Sequence, residues 1–141
     1  MQEYIDFARN NALIVIGFFA VLGFIIKSEI SNATRKYKQV GVNEAVMLLN
    51  KDDALVIDVR EDKEIQGGKI KGSRHITLGD LPSKLSELEK NKQSPVLIYC
   101  RSGSRSGHAS QILTKAGFED VSNLAGGILA WESANLPVVK S

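Results

Sequence analysis

The sequence predicts an α/β domain, a parallel five-stranded sheet flanked by helices, preceded by one N-terminal transmembrane helix. Three observations predict it. The runs at 54–59 and 96–99 are continuously apolar but for one residue, as in strands buried on both faces. Segments with helical spacing of apolar residues alternate with these runs, which places helices on both sides of a parallel sheet. Ahead of them, residues 12–26, ALIVIGFFAVLGFII, carry no polar side chain.

Fifteen residues of helix cover about 22 Å, short of a hydrocarbon core of about 30 Å. Ile5, Phe7 and Ala8 before the run and Ile30 after it lengthen the apolar segment, and Tyr4 and Tyr37 suit the two interfaces. The span is read over roughly residues 8–28. The chain divides into an anchor at 1–30, a basic linker at 31–39 (SNATRKYKQ) and a domain at 40–141. Two other readings compete. A buried core helix has this composition, but nothing downstream needs one. A cleaved signal peptide normally opens on basic residues. Here Glu3 and Asp6 come first, and only Ser31 and Ala33 form a weak cleavage-like pair. Lys27, Arg35, Lys36 and Lys38 follow the run, against Arg9 and the terminal amine before it. Positive flanks stay inside, so the domain is expected to face the cytoplasm. No GxxxG pattern lies in the run, so helix pairing gets no support.

Val40 belongs to a short first strand. Asn43 is the expected N-cap of a helix whose face carries Ala45, Leu48 and Leu49. ALVIDV at 54–59 is a strand interrupted by Asp58. The stretch REDKEIQGGKIKGS holds at most one helical turn, and its charges at 61–64 read as solvated surface. His75 and Ile76 are extended. Asp80 caps a helix with Pro82 in its first turn and Leu81, Leu85 and Leu88 on one side. After strand 96–99, Ala109, Ile112, Leu113 and Ala116 form an i, i+3, i+4, i+7 stripe that Gly117 closes. Val121–Leu124 is the last strand, and 126–133 a helix with Trp131 turned inward.

At 141 residues the chain suits one domain with a real core, and a net charge of +2 is too small to argue for nucleic acid. One cysteine excludes an internal disulfide, and two separated histidines make no zinc site. No metal or cofactor is expected. A free thiol fits a reducing compartment.

That cysteine, Cys100, sits where strand becomes loop in VLIYCRSGSRSGHASQILTKAG, at a strand end where such sheets bind ligands. With a helix starting near Ser104, Cys100 to Arg105 wraps a helix N-terminus whose free N–H groups point into the loop. The small residues Ser102, Gly103 and Ser104 let those groups converge, and Arg101 and Arg105 add positive charge. The result is an anion cradle with a thiol at its floor, and its field lowers the thiol pKa. A pKa near 8.5 leaves about 3% thiolate at neutral pH, and one near 6.5 gives roughly three-quarters. The accompanying loss of nucleophilicity is about 6- to 10-fold, so the net gain is only a few-fold. Binding an anion and holding a charged covalent intermediate must therefore contribute more.

The loop CRSGSRS, the earlier VIDVRE with GGKIKGSRHI, and the later NLAGGILAW together resemble the rhodanese (sulfurtransferase) domain over about residues 38–137. With the apolar run in front, the chain resembles a membrane-anchored single-domain rhodanese. The resemblance implies a persulfide mechanism. The matching Cys100 takes the outer sulfur of a donor such as thiosulfate, a small anion, and passes it to cyanide, a thiol or a protein acceptor. A persulfide ends in an anion, which suits the cradle. Phosphatases and arsenate reductases of related fold use Cys-x5-Arg, whereas Arg105 here completes Cys-x4-Arg, a narrower ring suited to one sulfur.

Within this reading Cys100 is catalytic, and Arg101, Ser102, Gly103, Ser104, Arg105 and Ser106 bind substrate. The serines and Gly103 act mainly through backbone N–H, and Ser104 or Ser106 serves equally as an N-cap. Arg105 is the anion-facing arginine, and Arg101 points either to solvent or to substrate. Asp58 and Arg60 match family positions near the loop and orient backbone. His75 and His108 are structural or solvated, neither beside an obvious carboxylate. Gly126 and Gly127 permit close packing. Lys69 departs from the family, where histidine is frequent. The expected location is a single pass in a bacterial inner membrane. The alternative function is a membrane-tethered interaction module, with a membrane-protein partner and an incidental or regulatory thiol.

Overall fold

The computed structural model describes residues 1–33 and 36–140. It separates into two compact units, Met1–Arg35 and Lys36–Ser141.

The first unit contains α1 (Gln2–Asn10) and α2 (Ala12–Ala33). The expected span from residue 8 is corrected here, because the helix breaks at Asn11. Asn11 leaves helical geometry (φ −122°, ψ 36°), and its main-chain N–H and Nδ2 both donate to Phe7 O at 3.0 Å, closing α1. The candidate membrane span is Ala12–Ile30, with a mean hydropathy of 2.2 and no buried side chain. Its 19 residues reach about 28 Å, close to a hydrocarbon core. The linker is also shorter than expected, since α2 covers 31–33 and the first strand takes Lys38 and Gln39. Arg35, part of the expected basic flank, lies outside the described residues. Tyr37, expected near an interface of the span, packs against the core of the second unit.

The second unit runs β1 (Lys38–Val40), α3 (Val42–Leu49), β2 (Leu55–Asp58), α4 (Asp62–Ile65), β3 (Arg74–His75) and α5 (Leu81–Lys84). After a 3₁₀ segment at Leu85–Asn91 follow β4 (Pro95–Tyr99), α6 (Ser104–Lys115), β5 (Asp120–Leu124) and α7 (Gly127–Ser133). The five strands pair in the order β1-β5-β4-β2-β3, all parallel. Successive side chains of a strand face opposite sides. Accordingly Val96, Ile98 and Cys100 join one core with Leu88, Ala109 and Leu113, while Leu97 and Tyr99 join the other with Leu124, Ile128 and Trp131. Burial on both faces is why these strands read as unbroken apolar runs.

Two expected caps differ. Gly41 rather than Asn43 is the N-cap of α3, and its N–H donates to Glu44 Oε2 at 3.1 Å. Asn43 therefore lies inside the first turn. Asp80 stands at the N-cap of α5, but its carboxylate accepts from Thr77 Oγ1 at 2.8 Å and bonds no helix N–H. The Leu81 and Leu88 side chains are nonetheless fully buried, as their spacing predicts.

From β2 the chain moves one way to β3, and from β4 the other way to β5. The loops beyond the β2 and β4 carboxyl ends therefore part, opening the crevice where sheets of this kind bind ligands. Asp58 to Glu64 forms one lip and the loop from Cys100 the other.

Candidate active site

Asp58 ends β2 and is fully buried, and Arg60 is almost so. The Arg60 guanidinium grips that carboxylate, Nε at 3.0 and 3.1 Å from the two oxygens and Nη2 at 2.7 Å from Oδ2. Its remaining donors reach Glu64 O (3.2 Å) and Gly68 O (2.8 Å). Burial works against the Arg60 charge, but the Asp58 hydrogen bond and charge outweigh it, and the pKa rises. Breaking such a pair by removing one partner costs about 3–5 kcal/mol. The two residues thus orient backbone, stitching β2 to α4 and Gly68.

Cys100 follows β4, and Gly103, at φ 100°, is the N-cap of α6. The helix begins at Ser104, as predicted, with Gly103 and not a serine at the cap. The Gly103 N–H lies 3.1 Å from Cys100 Sγ, and the Ser106 hydroxyl 3.3 Å. The N–H groups of Ser102 and Ser106 are also directed at the sulfur. Burial pushes the thiol pKa up; the Ser106 hydroxyl and these three N–H groups together outweigh it and hold the thiol below its ordinary value. Ser106, fully buried, thus contributes its hydroxyl as well as its backbone. Cys100 is only 1% exposed, so its sulfur lies almost sealed beneath the loop.

The outward faces of the first two loop peptides explain the aim of the Ser102 N–H. Ile128 N–H donates to Cys100 O at 2.9 Å and Leu129 N–H to Arg101 O at 3.3 Å. In a trans peptide C=O and N–H point oppositely, so turning those carbonyls toward α7 turns the N–H groups of Arg101 and Ser102 the other way. Gly127 makes this approach feasible. A Cβ there would lie 2.5 Å from Cys100 O and from Arg101 C and O. Asn123 completes the clamp, donating from Nδ2 to Gly103 O at 3.0 Å and to Gln39 Oε1 at 3.1 Å.

Arg105 is where the charge reading needs correction. Its guanidinium makes a two-pronged pair with Glu64, at 2.7 and 2.8 Å. Glu64 is therefore not solvated surface, and Arg105 is held at the lip of the crevice, within electrostatic reach of the thiol. The Arg105 hydrogen bonds, against some burial, hold Glu64 down to about 2, below its usual 4.5. A depressed carboxylate pKa contributes stability above the unfolded value and loses it as pH falls toward the folded one. The stability difference between wild type and Glu64→Gln is expected to be flat above about pH 5 and to shrink between 4.5 and about 2. Solvent screening limits it to about 1 kcal/mol. Urea titrations at each pH check this, and a difference that ignores pH would mean the pair does not form.

His75 also differs from expectation. Its Nε2 lies 2.7 Å from Arg60 O, and Nδ1 has the Asp62 carboxylate 3.6 Å away. His108, Ser102 and Ser104 are exposed, as is Arg101. Beside Arg101 opens a groove of about 220 Å³, walled by Ile128, Leu129 and Glu132 of α7 and by Gly67 and Gly68, with Arg60 and Glu64 at its edge.

The model of the rhodanese-like domain matches residues 42–134. The chain is 33% identical over 141 residues to the uncharacterized protein YibN of Escherichia coli K12, covering 99% of each. It is 33% identical over 98 residues to the thiosulfate sulfurtransferase GlpE of Pseudoalteromonas translucida, covering 70% of this chain and 91% of that one. Among solved structures, a Rhodopseudomonas palustris protein of unknown function, described as a possible tyrosine phosphatase, superposes with a TM-score of 0.70 at 26% identity, covering 81% of this chain and 93% of that chain.

Proposed function

Because the chain belongs to the rhodanese-like domain family, we propose that it is a membrane-anchored sulfurtransferase that carries a sulfane sulfur on Cys100. The thiolate attacks the outer sulfur of an anionic donor such as thiosulfate. A bond forms between Cys100 Sγ and that sulfur, the donor S–S bond breaks, and its electron pair departs with sulfite. A thiophilic acceptor then attacks the outer sulfur of the persulfide and restores the thiolate. The observation that carries this reading is the set of donors aimed at one atom, with Gly103 N–H at 3.1 Å and the Ser106 hydroxyl at 3.3 Å from Sγ. Such donors stabilise an anion without reorganising.

Phosphoryl transfer is the rival that the R. palustris structure raises. Against it, the spacing is Cys-x4-Arg, and the guanidinium that would clamp a phosphate is occupied by Glu64. A docking module with an incidental thiol is the other rival, and the 1% exposure of Cys100 favours it.

The apolar helix serves in this reading as a single-pass anchor in a bacterial inner membrane, with Lys27, Lys36 and Lys38 on the cytoplasmic side. One preparation of the full-length protein tests both parts. Membranes carrying it are expected to retain it through alkaline carbonate. After incubation with thiosulfate its intact mass is expected to rise by one sulfur. Release by carbonate would remove the anchor, and an unchanged mass would remove the sulfurtransferase.

A further inference from the structure

The two helices of the first unit differ in kind. α2 carries no polar side chain over residues 12–26, whereas α1 sorts its residues by side. At about 100° per residue, Tyr4, Phe7 and Ala8 fall within roughly 100° of the helix circumference, and Gln2, Arg9 and Asn10 fall on the opposite side. Tyr4 and Phe7 are 81% and 61% exposed, so no described residue covers their face. The joint between the helices is a single residue. Asn11 N–H and Nδ2 both donate to Phe7 O at 3.0 Å, which closes α1. Asn11 O accepts from the N–H groups of Ile14 (3.0 Å) and Val15 (3.1 Å), which opens α2. The last residue of α1 therefore stands two positions from the first residue of the candidate span, Ala12.

The 19 residues of that span already reach about 28 Å, so they fill a hydrocarbon core and leave none of it for α1. α1 thus begins at the level of the lipid headgroups. From there it either projects into water, with Tyr4 and Phe7 bare, or lies down on the lipid. A helix with segregated sides and low net hydrophobicity is the kind that lies in an interface, and aromatic residues concentrate at that depth. We propose that α1 lies in the plane of the bilayer surface, with Tyr4 and Phe7 seated at the boundary between headgroups and acyl chains. Gln2, Arg9 and Asn10 then face water. The partner is the lipid surface itself. The inference rests on the single-pass anchor reading and adds a second membrane contact to it. With the break at Asn11, the anchor is L-shaped, and its short arm sets the depth at which the span sits.

The test places one added tryptophan at a time in the full chain, reconstituted in phosphatidylcholine vesicles. Trp131 is the only native tryptophan, so the wild-type signal is subtracted as background. Some vesicles carry lipids brominated near the headgroup end of the acyl chain, others lipids brominated near its far end, and bromine quenches tryptophan at its own depth. Leu22→Trp, at the middle of the span, is expected to be quenched by the deep bromines. Tyr4→Trp and Phe7→Trp are expected to be quenched about twofold more by the shallow bromines than by the deep ones. Gln2→Trp and Asn10→Trp, on the water side, are expected to be quenched several-fold less than either. If Leu22→Trp escapes both lipids, the anchor reading fails together with this one. If Leu22→Trp is quenched while Tyr4→Trp and Phe7→Trp escape, α1 leaves the lipid and only this proposal fails. Equal quenching at all four positions of α1 would overturn it as well, because a helix lying on one face cannot bury both.

Discussion

Cys100→Ser is expected to gain no sulfur from thiosulfate and to turn over at the uncatalysed background, with stability within about 1 kcal/mol of wild type. The two halves of this expectation come from different physics. The function depends on a polarisable thiolate, and this is the only cysteine in the chain. A serine hydroxyl stays protonated near neutrality and forms no persulfide. The fold depends on something else, namely an acceptor for the donors around position 100. A serine oxygen still accepts from Gly103 N–H and the Ser106 hydroxyl. Cys100→Ala lacks that acceptor and strands the Ser106 hydroxyl, whose residue is fully buried. It is expected to be less stable than Cys100→Ser by about 1–3 kcal/mol. Intact mass reads the first half and urea titration the second. A serine variant that still gained sulfur would move the chemistry away from this loop.

Gly127→Ala is expected to damage stability and reactivity together, although position 127 bears no reacting group. Gly127 sits at φ 58°, a conformation that costs an L-residue roughly 1–2 kcal/mol. Its Cβ would also lie 2.5 Å from three main-chain atoms of Cys100 and Arg101. Main chain cannot swing aside as a flexible side chain can, so α7 or the loop must move. Overpacking of this kind costs about 1–3 kcal/mol more. Either movement loosens the bonds from Ile128 and Leu129 N–H to the Cys100 and Arg101 carbonyls, and the inward N–H groups lose their aim. The thiol pKa should therefore rise, because burial is then less opposed. The pH dependence of alkylation reads that shift, and urea unfolding reads the stability. Gly72→Ala is the control. It carries φ 79° with nothing within 4 Å of the added Cβ, so it pays for conformation alone. If both variants left the thiol pKa in place, the coupling between α7 and the loop would be refuted.

The parts of this architecture that were legible from sequence are those encoded locally. Unbroken apolar runs mark β2 and β4 because both strand faces are covered, and the stripe from Ala109 to Ala116 marks α6 because one helix face is. Cys100 and Gly103 stand out because strand, loop and helix start follow one another within a few residues. What was hidden is paired across distance. Glu64 and Arg105 are 41 residues apart, and Asn123 reaches Gly103 across 20. A glutamate in a charged segment and an asparagine in a strand carry no mark of their partners. The helix break at Asn11 had only the Asn10–Asn11 pair as its signal, without the glycine or proline that usually punctuates a helix.

The donors nearest the Cys100 sulfur are mostly peptide groups, supplied by Ser102, Gly103 and Ser106, and the peptide that carries the Ser102 N–H is held from behind by α7. Peptide groups are common to every residue type except proline. Exposed positions such as 101, 102 and 104 can therefore exchange side chains without erasing the anion ring, whereas glycines that touch no ligand cannot. Tolerance to mutation around the loop should follow backbone geometry and not distance from the sulfur, with permissive sites on the exposed rim and strict ones at Gly103, Ser106 and Gly127.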